Sequence, residues 1–326
     1  MGSVKIKNVG VLILLACAVI IAGSRSIAKS RAQDKPEKRA GTESPRPSTQ
    51  SAMVRLSAPA KVTAEAVNSA PPAAFELAGH KNEELQTSCL WNFGGKAQRG
   101  WRLYVPLIAN LIETDRDVAA SDFAMRLSLW QKGKGIEPSG VLEAETWSQM
   151  VSAFQSRRMS GRPEPSDLTT IPVSDCYDPG RPEELRKADA QTFLAYKRMV
   201  AAAAADLTLG LEVTKDGQLA WNEKLFKIVS AYRSREYQDH LRRQSPTSGR
   251  AGLAVNSPHA TGRALDLYVG GEPVSTKDDN RALQTQGAVY RWLVKNAARF
   301  GFQPYFYEPW HWEFVGVQNH PGTGTR

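Results

Sequence analysis

Cysteine and histidine are scarce in this chain: 326 residues carry three of the first and five of the second. Cys17, Cys89 and Cys176 show no Cys-x-x-Cys spacing, which excludes a thiol redox motif and a cysteine zinc knuckle. Long apolar runs are missing as well. The run from Val9 to Ala22 would span about 21 Å as a helix, short of a hydrocarbon core of about 30 Å. Aromatic residues are absent between Arg25 and Ala74, where Ala, Pro, Ser, Lys and Arg dominate. Such a stretch cannot bury enough apolar surface to order itself and reads as a flexible tether.

The short apolar run is preceded by Lys5 and Lys7 and followed by small residues at Ala22-Gly-Ser24 and Ser26-Ile-Ala28. That is the layout of an export signal over residues 1–28, with an uncleaved membrane anchor as the alternative. The expected location is the periplasm or cell envelope. Residues 29–79 are expected to form a basic linker, and the stretch from Arg25 to Ala74 holds much of the formal net charge of +9. A basic tether favours anionic surfaces such as lipid headgroups or acidic wall polymers, and export argues against nucleic acid as a partner. Membrane contact is expected only through the N-terminal anchor. Removing the signal leaves Cys89 and Cys176 as a pair in a disulfide-permissive compartment. A bridge would contribute about 4 kcal/mol on a chain-entropy basis; two buried thiols are the alternative.

What is present is concentrated near the C-terminus, in Ser257-Pro-His-Ala-Thr-Gly-Arg-Ala-Leu-Asp266 and Glu308-Pro-Trp-His311. Together they supply two imidazoles and two carboxylates. This is the inventory of a catalytic zinc site: three protein ligands, an open fourth position and a separate general base. Arg263 to Val269 alternates as a half-buried strand, and His311 to Val315 reads as another. The separation of seven places His259 and Asp266 on opposite faces of one straight strand, so Gly262 must turn the backbone for them to meet. His80, His240 and His320 have no matching spacing and read as exposed.

Two further signals accompany these motifs. Val229-Ser-Ala-Tyr-Arg-Ser234 is followed by Gln238, and all three elements keep one order along the chain. The set resembles the zinc D-alanyl-D-alanine carboxypeptidases of the VanY type, over roughly residues 183 to 318. The resemblance implies one Zn2+ held by His259, Asp266 and His311, with Glu308 as general base. It implies Arg233 as the holder of the substrate and its developing oxyanion, and places Ser257 and Gln238 near the substrate. Glu313 reads either as a residue orienting a ligand or as an ordinary strand residue. The implied fold is α+β, a Hedgehog/DD-peptidase-like domain over residues 179–326.

Upstream, residues 80–178 read as a small, mainly helical domain. Phe123, Leu127 and Trp130 recur at helical spacing, Gly133 and Gly135 end that helix, and Trp147, Met150, Val151 and Phe154 mark another. The region is similar to the helical peptidoglycan-binding domain, but Ser139-Gly-Val-Leu-Glu143 replaces that domain's usual turn. Glycan binding and a spacer without ligand both stay open. Downstream, Glu183 to Leu207 is expected as one helix, Leu225 to Ala231 as a strand, and Gln286 to Phe300 as a helix stopped by Gly301. The resulting expectation is an exported zinc metallopeptidase that removes terminal D-alanine from peptidoglycan stem peptides. The alternatives are an L,D-carboxypeptidase or wall endopeptidase of the same family, and a non-catalytic wall-binding protein.

Overall fold

In the computed structural model, residues 72–161, 164–165, 167–244 and 257–316 are described; the expected export signal, residues 29–71 of the linker and His320 lie outside them. The chain order is α1 (Pro72–Ser88), β1 (Leu90–Phe93), β2 (Lys96–Arg99), α2 (Val105–Leu111), α3 (Ser121–Gly133) and α4 (Ala144–Ser156). There follow β3 (Leu168–Thr170), β4 (Lys187–Asp189), α5 (Ala190–Ala204), β5 (Ile228–Ser230), α6 (Arg235–Gln244) and β6 (Ala264–Leu267). The last elements are α7 (Asp278–Gln286), α8 (Ala288–Asn296), β7 (Phe302–Pro304) and β8 (His311–Phe314). This is the expected α+β class. No helix among the described residues is long and apolar enough to cross a membrane.

The central element is a four-stranded antiparallel sheet in the order β5-β6-β8-β7. Its two middle strands are buried on both faces. One face, carrying Leu265, Leu267 and Trp312, joins an apolar core with Tyr290 and Leu293 of α8. The other carries the polar residues of the motifs. The register pairs Asp266 with His311 and Ala264 with Glu313, so two candidate ligands stand directly opposite each other. Facing residues on one side of such a pair have Cβ atoms about 5 Å apart, close enough for a shared ion.

The helical region is continuous with this core. Trp91, Phe93, Tyr104, Trp147 and Phe154 gather around Phe306, with Phe93 at 4.7 Å and Tyr104 at 5.4 Å between ring centroids. Phe306 lies in the turn just before Glu308, so helices from the first half of the chain support the approach to the motif. Within the helical region, two buried amides hold the 139–142 turn. Asn82 donates to the Gly140 carbonyl and accepts from the Leu142 N–H, while Gln131 accepts from the Gly140 N–H.

Several expectations need correcting. Residues 72–79 of the expected linker are already helical, because Phe75 and Ala78 bury themselves against Ala124 of α3. The single helix expected over 183–207 is a short 3-10 turn, then β4, then α5. Asp189 caps α5 by accepting from the Thr192 N–H, and β4 is drawn into pairing with β3, so tertiary pairing overrides helix propensity there. The helix expected over 286–300 begins only at Ala288, since Gln286 ends the preceding helix α7 and Gly287 separates the two; it runs as α8 to Asn296 and finishes as a 3-10 turn before Gly301. The Cys89–Cys176 bridge is not formed: both are free, buried thiols. Cys89 lies at the end of α1 near Glu143, whereas Cys176 pairs with Ile228 beside Arg181 and Arg186. Burial pushes both thiols up from the usual range, the setting of inert cysteines.

Candidate metal centre

His259 arrives on a 3-10 turn, Pro258–Thr261, that Ser257 caps by accepting the His259 N–H at 3.3 Å. Gly262 ends the turn at φ 71°, a conformation in which a Cβ would lie 2.8 Å from the Asp189 nitrogen. The turn thus swings His259 out of line with β6 and back over Asp266, resolving the parity conflict between them. On the partner strand, Glu308 N–H bonds to the Tyr305 carbonyl and His311 N–H to the Glu308 carbonyl. These tight turns through Pro309 bring the Glu308 side chain beside the His311 ring.

His259 Nε2, Asp266 Oδ1 and His311 Nδ1 converge. The three separations are 3.2 Å (His259 to Asp266), 3.2 Å (His259 to His311) and 3.0 Å (His311 to Asp266). A zinc ion about 2.0–2.1 Å from each of three tetrahedral donors would set those donors about 3.3 Å apart. All three residues are buried. The outer ring nitrogens are also committed. His259 Nδ1 donates to the Ala231 carbonyl at 2.6 Å, and His311 Nε2 donates to Glu313 Oε1 at 3.3 Å. Each ring therefore presents its other nitrogen to the shared position, the arrangement that orients metal-binding imidazoles. Zinc fits this donor set, and His259, Asp266 and His311 are the residues that would hold it.

The groups around the shared position shift one another's proton affinity. Burial and the nearby Arg233 guanidinium push His259 down to about 4. Burial would also lower His311, but its hydrogen bonds to Asp266 and Glu313 outweigh that and hold it up at about 9. Burial would raise Asp266, yet His259 and Arg233 hold it well below the usual carboxylate range. Glu308 behaves in the opposite way. Burial raises it to about 8, with Asp266 adding to the effect, although His311 opposes it. Its Oε2 lies 4.0 Å from His311 Nδ1, near the shared position without joining the donor set. Two carboxylates pushed apart in this way are suited to different tasks, one to holding a cation and the other to carrying a proton.

Arg233 follows β5 and reaches back to it: Nε donates to Ser230 Oγ at 2.9 Å, and a terminal nitrogen pairs with Asp266 Oδ2. Gln238 sits buried on α6, one turn beyond Ser234, whose carbonyl accepts its N–H. His80 and His240 are exposed, as expected. Arg242 pairs with Asp239 of its own helix at 3.8 Å. Glu313 stands behind the His311 ring and accepts from its Nε2. Sequence reasoning missed the group on its far side, Arg158, whose Nε donates to Glu313 Oε1 at 2.9 Å, and the Met159 N–H, which bonds Oε2 at 3.0 Å. No motif spacing links positions so far apart.

Three convergent donors and an unliganded buried carboxylate define a metal-dependent hydrolase. Residues 187–317 match the family VanY, D-alanyl-D-alanine carboxypeptidase. Among solved structures, the chain is similar to a mutant of the vancomycin resistance D,D-pentapeptidase VanY from a VanB-type resistance cassette, in complex with Zn(II). Identity is 24%, over 46% of this chain and 84% of that one, with a TM-score of 0.27. It is also similar to VanYB in complex with D-alanine-D-alanine, at 20% identity over 49% of this chain and 82% of that one, with a TM-score of 0.29. A search among curated proteins returned no match.

Proposed function

We propose that the chain is an exported zinc carboxypeptidase that removes the terminal D-alanine from peptidoglycan stem peptides at the cell envelope. The observation that carries this reading is the convergence of His259, Asp266 and His311 with Glu308 left free beside them. When bound there, zinc supplies Lewis acidity to the scissile carbonyl and acidifies water. Glu308, buried and held near neutrality, accepts the proton from the attacking water and returns it to the leaving amine. Arg233 keeps Asp266 in place through Oδ2 and brings a guanidinium to the side of the site where a substrate carboxylate or developing oxyanion would sit. Ser257 holds the His259 turn, and Gln238, buried on α6, is assigned a place near the substrate.

The VanY family description supports D-alanyl-D-alanine as the substrate class, and the solved relative in complex with that dipeptide is consistent with it. An L,D-carboxypeptidase or endopeptidase would use the same centre with a different entry, shaped in part by the 270–285 segment that contains most of α7. In the helical region, contact with glycan strands is an additional proposal. Export rests on the N-terminal pattern of Lys5, Lys7 and the apolar run that follows. Incubating the zinc-loaded protein with defined muropeptides and weighing the products tests the reading. Loss of one D-alanine from pentapeptide stems is the expected result; intact pentapeptides under zinc saturation would refute it.

A further inference from the structure

The family match starts at residue 187, yet the best-anchored contact behind the metal position comes from further upstream. Glu313 has a side chain only 1% exposed, and a buried carboxylate needs compensation on every side. On one side it accepts from His311 Nε2. On the other, the Arg158 guanidinium meets Oε1 through Nε and a terminal nitrogen, while the Met159 N–H meets Oε2. Arg158 is itself held. Its other terminal nitrogen donates to Gln155 Oε1 at 3.1 Å, and its guanidinium lies 4.1 Å from the centroid of the Tyr305 ring. Tyr305 in turn bonds the His311 carbonyl through its N–H at 3.0 Å. Arg158 therefore touches both the acceptor that orients His311 and the segment leading into Glu308.

We propose that Arg158, at the C-terminal end of α4, is a positioning residue of the metal centre, locking Glu313 so that His311 presents Nδ1 to the cation. The inference rests on the zinc reading above. It gives the helical region a role in building the catalytic centre, separate from any binding of glycan. A single rotamer change at Glu313 would free the His311 ring to turn about its own axis and withdraw Nδ1 from the other two donors. The guanidinium fork blocks that change, because Nε and a terminal nitrogen hold Oε1 while the Met159 N–H holds Oε2.

The test uses the full chain and reads metal binding directly. Zinc affinity is measured by chelator competition, and the site geometry by the visible absorption of the cobalt(II)-substituted protein. For Arg158→Ala, zinc affinity is expected to fall about 10- to 100-fold, the usual effect of losing an outer partner of a ligand, and the cobalt spectrum to change. Arg158→Lys keeps the charge without the fork and should lie between wild type and Arg158→Ala; it also carries the test if the alanine variant does not fold. Arg157→Ala, one residue away, should leave both readouts unchanged. Wild-type zinc affinity and an unaltered cobalt spectrum in Arg158→Ala would overturn the proposal, as would an equal loss in Arg157→Ala. A wild-type chain that binds no zinc would overturn the metal reading along with it.

Discussion

Glu308 and His311 are three residues apart and both buried, and both hold a proton above the usual range, one as a cation and the other as a neutral acid. The imidazole has two acidic partners, Asp266 and Glu313, which favour its cation. The carboxyl faces burial and the Asp266 charge, which favour its neutral form. Under the proposed reading Glu308 carries the proton and His311 holds the metal, which makes a sharp prediction. Glu308→Gln should lower kcat by about 10²- to 10⁴-fold, the range of a lost general acid-base group, while zinc affinity changes less than about tenfold, since Glu308 stands outside the donor set. Steady-state kinetics beside a zinc titration checks both halves; a variant that loses metal in proportion to activity would recast Glu308 as a ligand.

At the level of elements, the site is the meeting of one sheet register and one turn. Pairing of Asp266 with His311 across β6 and β8 brings together two donors 45 residues apart, and the Gly262 turn adds the third. Gly262 is irreplaceable for two reasons: its φ is in the left-handed region, and a Cβ would strike Asp189 N and Leu168 Cδ2, both at 2.8 Å. Gly262→Ala is expected to cost about 2 kcal/mol or more in stability, and to weaken zinc binding because the strain falls on the turn that carries His259. Denaturant unfolding with and without zinc measures both; wild-type affinity in a folded variant would show that His259 does not depend on this turn.

For the molecule as a whole, the metal-free protein carries an enclosed group of mismatched charges that folding must accommodate. The folded His311 titrates at about 9, above its unfolded value of about 6.5. Its stabilising contribution is therefore complete below about pH 6.5 and lost as pH rises through 9. Glu308 is raised from 4.5 to about 8, so the folded state again holds more protons than the unfolded one, and stability falls with rising pH between those values. His259, lowered to about 4, acts in the opposite sense, but only below about pH 6.5. The melting temperature of the metal-free protein should consequently decline from about pH 6.5 to 9. Zinc must displace a proton from His311 Nδ1, so the rise in melting temperature on adding zinc should be larger at pH 8.5 than at pH 6. Thermal scans across that range, before and after chelation, provide the check. A zinc effect that does not grow with pH would count against displacement of a proton from His311.

The donor types, their order along the chain and the need for a turn at Gly262 were all legible in the sequence, because metal chemistry selects residue types and strand parity constrains spacing. So was the α+β class, from strands and helices at their own periods. Tertiary structure alone decided the rest. β4 exists because β3 is there to pair with it, and Cys89 and Cys176 stay apart because each is tied into a different part of the core. Glu313 gained its partner Arg158 only because the fold carries the end of α4 to it across 155 positions of sequence. Periodicity reports on neighbours within one turn or strand; a guanidinium arriving from another element leaves no local trace, and only the folded core places it.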